Sequence, residues 1–107
     1  MIVTTGNEVV GRSIAGYIGI VRGIVVRSPS IGQSLLGGLK TMVGGNIESY
    51  AEVCEDAREE ACERMVRHAE QHGANAVIAF RYDATEFAQG VTEVLAYGTA
   101  VLVERAP

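Results

Sequence analysis

The chain has 107 residues, one domain's worth, of which 48% are hydrophobic and 21% charged. With a mean hydropathy of +0.18 it is too apolar for a disordered chain, yet its uncharged apolar runs are too short to cross a bilayer. A formal charge of −4 and a pI near 5.1 weigh against nucleic acid as a partner.

Glycine is unevenly spread: ten of the thirteen fall in residues 1–45, none in 46–72 and three in 73–107. Formal charge follows the same blocks, at +3, −5 and −2. The first residues lack a basic region followed by an apolar core, so the expectation is a cytoplasmic protein without a signal peptide, its two cysteines reduced. A chain this short buries only about 60–70% of the surface its unfolded form exposes. Nearly half its residues are nevertheless apolar, so part of that surface is expected to meet another subunit.

In chain order, a short strand is expected at residues 2–4. Residues 17–28 alternate as a strand, with Ile18, Ile20, Ile24 and Val26 on one face and Tyr17, Val21 and Val25 on the other. Both faces are apolar, so both should be covered. Residues 28–45 are rich in Gly and Ser and predict a loop with a helical turn near residues 35–42. A helix is expected over 46–72: Asn46 can cap its start and Gly73 sits where a C′ glycine would. Its apolar stripe is Tyr50, Val53, Cys54, Ala57, Ala61, Met65 and Ala69, and Glu60–Arg64 and Glu63–Arg67 are spaced as i,i+4 ion pairs. Residues 76–82 predict a strand with Ile78, Phe80 and Tyr82 on one face and Val77 and Ala79 on the other. A turn region over 83–90 and a last strand over 91–104, bent near Gly98, complete the chain. The architecture is α+β: β-α-β-β, one long helix on an antiparallel sheet, a single domain over 1–107. One helix covers one sheet face, so the other predicts homo-oligomerisation.

Several segments resemble one family. Gly73-Ala74-Asn75-Ala76-Val77-Ile78 closes the helix and opens a strand, and Tyr97-Gly98-Thr99-Ala100-Val101 lies in the last strand. Upstream come Thr4-Thr5, Gly19-Ile20-Val21-Arg22-Gly23, Gly44-Gly45, Tyr50 and Ala57-Arg58. In this order they resemble the YbjQ-like family, small prokaryotic proteins labelled heavy-metal-binding. The resemblance covers residues 2–104. It implies a dodecin-subunit-like fold and a ring-shaped homopentamer, and no settled activity.

The candidate chemistry is sparse. Cys54 and Cys62 lie eight residues apart on one helix, about 12 Å of rise, too far for one ion to join both sulfurs at about 2.3 Å. Their plainer reading is as small buried hydrophobes. His68 and His72, spaced i,i+4, share a helix face as helical metal pairs do, with packing and last-turn capping as the plainer reading. A divalent or heavy metal ion is thus the cofactor to test, with no third ligand in sight. No hydrolase, P-loop or dinucleotide motif occurs. Glu55, Asp56, Glu59 and Glu60 read as a solvated helix face. The resemblance to dodecin-like assemblies implies ligands held between subunits, and the glycine-rich loop, with Ser30, Gln33, Ser34 and Lys40, and the Thr4-Thr5 pair are the polar candidates to line such a site. The sequence thus favours a cytoplasmic homo-oligomeric binding or scaffold protein, without nucleic-acid or membrane partners. The alternative is a small enzyme with sites at subunit interfaces, for which Arg81, Asp83 and Glu86 are the polar residues to inspect.

Overall fold

The computed structural model describes residues 1–27 and 47–107. The expected glycine-rich loop, its polar residues and the Asn46 cap lie outside the described residues, as does the side chain of Tyr50. Four strands and one helix make up the described chain: β1 (Ile2–Val3), β2 (Arg12–Arg27), α1 (Ile47–Gln71), β3 (Ala76–Ala88) and β4 (Val91–Arg105). The strand order is β1-β3-β4-β2. β2 and β3 flank β4 antiparallel, but β1 runs parallel to β3, so the sheet is mixed and the all-antiparallel expectation is corrected. The cause is the path of the chain, which leaves β1 at one sheet edge and re-enters as β2 at the other.

β3 also runs past the expected turn. Residues 83–86 stay paired with β4, Asp83 against Leu95 and Glu86 against Thr92. The hairpin turns at Gln89 and Gly90, where Gly90 has φ +73°. The turn-forming residues are overridden by the cross-strand ladder with β4 and by the strand-forming Tyr82 and Thr85.

Helix α1 buries Ala57, Ala61, Met65 and Ala69 against the sheet, one residue per turn. Alanine at these places lets it sit close. A Cβ added to Gly23 of β2 would lie 2.0 Å from the Ala61 carbonyl oxygen and 2.4 Å from the Met65 nitrogen. The glycine therefore permits backbone-to-backbone packing between β2 and α1 within the chain. Glu60 joins the layers, 2.8 Å from Arg64 and 3.1 Å from Arg27 of β2. The Glu63–Arg67 ion pair does not form. At the C-terminus Gly73 takes φ +82°, Gly73 N–H donates to the Glu70 carbonyl and Ala74 N–H to that of Ala69, the paired bonds of a Schellman cap.

Register shifts interrupt the ladders at Ile14/Gly16 and Tyr17/Gly19 of β2 and at Ile78/Arg81 and Glu86/Ala88 of β3, and the second and third reset which side chains meet the helix. In β2 the register slips between Tyr17 and Gly19. Ile18 consequently joins the core under the helix with Val21 and Val25, while Tyr17 pairs with Val101 on the opposite face. In β3 the register slips between Ile78 and Arg81, with Ala79 left-handed at φ 53°. Val77 and Phe80 then both pack under the helix, and Ile78 faces the other way. The alternation expected for Ile78, Phe80 and Tyr82 is corrected, because an extra residue in the bulge reverses every side chain beyond it. Gly98 backs this bulge: a Cβ there would lie 2.5 Å from Val77 Cγ1 and 3.0 Å from the Ile78 carbonyl oxygen.

The face away from the helix has its own small cluster, Ala76, Ile78, Val101 and Val103, packed by Ile2, Val9 and Ile14. Beyond it Tyr17 is 72% and Ile20 74% exposed, so among the described residues the second face is covered only at one end.

Candidate functional site

The metal candidates do not converge. Cys54 is exposed and Cys62 half-buried, so neither is the buried hydrophobe expected. Among the described residues no group of three or more His, Cys, Asp or Glu side chains could hold a metal ion. His68 and His72 do meet, their rings edge to face at 4.8 Å between centroids.

Their hydrogen bonds divide them. His68 Nδ1 lies 3.2 Å from the Arg22 backbone nitrogen and accepts its N–H. A neutral imidazole accepting at Nδ1 carries its proton on Nε2, so neither nitrogen has a lone pair left for a metal. His72 Nδ1 lies 2.9 Å from the His68 carbonyl oxygen, which can only accept. Its Nδ1 therefore donates and its Nε2 lone pair is free. The pair offers one ready metal donor rather than two.

A second region was not singled out from the sequence. Glu55, Arg58, Glu59, Cys62 and Arg67 of α1, with Tyr82 of β3, line an open groove of about 890 Å3. It exists because α1 lies over β2 and part of β4 and scarcely reaches β3. Burial pushes the Tyr82 hydroxyl above its ordinary value of 10.0, and Cys62, by charge and hydrogen bonding, pushes it the same way against the lowering effect of Arg58. The Arg58 guanidinium stands 5.7 Å from the centre of the Tyr82 ring, and Phe80 meets that ring edge to face at 4.7 Å. Only the phase of β3 could have revealed the groove, and the bulge at Ala79 concealed it.

The other polar candidates serve the backbone. Arg81 donates to the carbonyls of Thr5 and Phe80, Asp83 accepts from Ala84 N–H and Glu86 from Gly90 N–H. Thr4 Oγ1 accepts from Gly6 N–H. Asn75 reaches across to β4: Nδ2 donates to the Val103 carbonyl at 2.9 Å and Oδ1 accepts its N–H at 2.8 Å. Gly73, Ala74, Ala76 and Val77 thus form the helix stop and strand start. Tyr97, Gly98, Thr99, Ala100 and Val101 form the strand laid against them.

These features define an α+β domain with one helix on a four-stranded mixed sheet. A family model described as "Putative heavy-metal-binding" matches residues 1–104, and the chain belongs to this YbjQ-like family. A UPF0145 protein of Legionella pneumophila is 58% identical over 103 residues, covering 96% of this chain and 98% of its own. One from Solibacter usitatus is 59% identical over 101 residues, covering 94% and 90%. A crystal structure of a protein of unknown function from Pediococcus pentosaceus, of the DUF74 family, shares the fold with TM-score 0.63 at 18% identity, covering 97% of this chain and 98% of its own. No described helix is long and apolar enough to cross a membrane.

Proposed function

We propose that this protein is a cytoplasmic homo-oligomer, a ring of five copies, acting as a non-enzymatic binding protein for metal ions. The observation that carries the reading is the apolar sheet face that the described residues leave open, with Tyr17 72% and Ile20 74% exposed. A small domain seldom leaves such a face to water, and a second copy is the simplest cover. The elongated form supports it: the described residues span 58 × 24 × 17 Å, with a radius of gyration of 17.1 Å against about 13 Å for a compact chain of about 100 residues. Metal binding takes its support from the family description and from His72, whose Nε2 is free. One imidazole is too few for a closed site, so the remaining ligands come from further copies.

Sedimentation equilibrium at micromolar concentration tests the assembly, and a monomer would sink it. Calorimetric titration with Zn2+, Cu+ and Ni2+ tests the metal reading, and no heat with any of them refutes it. His72→Ala is expected to abolish binding. His68→Ala removes no free donor and is expected to weaken it several-fold at most.

A second reading, a small-molecule or enzymatic site between subunits, is favoured by the groove at Tyr82, where an ionisable group is shifted beside Cys62 and Arg58.

A further inference from the structure

The outer edge of β3 changes character along its length. At its start the N-terminal segment closes it: Ile2 and Val3 pair with Ala76 and Val77, Phe80 N–H donates to the Thr4 carbonyl and Ala79 N–H to that of Gly6. Along residues 81–88 no described strand lies on the side away from β4. Residues 81–86 are exposed there, and Ala84 N–H is held only by the side chain of its neighbour Asp83. An open strand edge of this length is a template for another strand.

Charge limits what can dock. The edge and the groove beside it carry Glu55, Glu59, Glu63, Asp83 and Glu86 against Arg58, Arg67 and Arg81. At the opposite sheet edge, β2 carries Arg12, Arg22 and Arg27 and no acid. Its middle is closed by its own helix, since Arg22 N–H is taken by His68 and the Ile24 carbonyl by Arg64 at 2.7 Å. Residues 12–20 have no such cover from α1 and carry the exposed Tyr17 and Ile20. Pairing β3 with its own copy would bring Asp83 and Glu86 close to their own kind, with only Arg81 to offset them.

We propose that the open edge of β3, with the acidic groove beside it, receives β2 of a second copy of this chain, entering through residues 12–20. The inference rests on the oligomeric reading above and specifies its contact. Donor and acceptor are different surfaces, so the contact is head-to-tail, the kind that closes into a ring. The incoming strand forms the missing wall of the groove, and Tyr82, Cys62 and Arg58 then lie at a boundary between two copies.

The test is sedimentation equilibrium of the full chain, with circular dichroism to confirm the helix. Ala84→Pro removes an outward N–H and no ladder bond to β4, and is expected to reduce the mass to that of a monomer. A charge exchange keeps the test valid should that variant unfold. Asp83→Lys with Glu86→Lys, and separately Arg12→Glu, should each be monomeric, and one chain carrying all three substitutions should regain the wild-type mass. Wild-type mass in all variants, or no recovery in the chain carrying all three charge exchanges, overturns the proposal while leaving the oligomer standing. A monomeric wild-type protein overturns both. Dissociation by Ile20→Glu but not by Ala84→Pro overturns it in favour of face-to-face sheet contact.

Discussion

Asn75 occupies the place where a helix has just ended and a strand is about to begin, and its side chain imitates a strand. By donating to and accepting from Val103 it supplies the two bonds that a backbone partner would give, in a half-buried place where water replaces them poorly. Asn75→Ala is expected to cost about 2–3 kcal/mol in urea unfolding, and Asn75→Asp, which keeps the acceptor and loses the donor, less than that. Tyr82 gives a second measurable effect. Its hydroxyl is raised above 10.0, so the folded state holds the proton longer than the unfolded one. The stability linked to that proton is present below pH 10 and is lost as pH rises through the folded value. Urea unfolding between neutral and strongly alkaline pH should show this decline, and Tyr82→Phe should remove it.

The helix and β2 meet at Gly23, and that contact sets how near the two elements lie. Gly23→Ala forces a methyl group into the backbone of α1, with expected destabilisation of about 3 kcal/mol or more, read as a lower midpoint in thermal or urea unfolding. The helix itself was legible in the sequence, because the stripe from Ala57 to Ala69, its uninterrupted length and Gly73 agree with its packing, although Cys54, expected in that stripe, is exposed. The strands were legible as strands but not in phase. Nothing in the alternation of residues 17–28 or 76–82 announces an inserted residue, and Ala79 is no glycine. The extent of β3 was hidden for another reason: Asp83 and Glu86 bond local N–H groups as turn residues do, while their backbones stay in the ladder. The candidate site suffered accordingly. His68 and His72 could be paired by spacing, but which nitrogen is free depends on Arg22, 46 residues away in sequence from His68.

At the scale of the whole molecule, the described residues form an elongated sheet with a helix on part of one side. Among the described residues, the sheet leaves Tyr17 and Ile20 exposed on its other side and no strand beside residues 81–88 of β3 on the side away from β4. Ile20→Glu places a charge on that exposed side without touching either buried cluster. It is expected to leave the circular dichroism of the fold intact and to lower the mass in sedimentation.

The closure of the middle of β2 by His68 and Arg64 has a geometrical consequence. A strand that can offer only its first half must join its neighbour out of step, displaced along the strand direction instead of level with it. Repeated around a ring, that displacement becomes shear, and a sheared sheet closes only when its strands lean from the axis, by about 35–45° in closed barrels. Two helix side chains that bond an edge strand would in this way govern the pitch of the whole assembly.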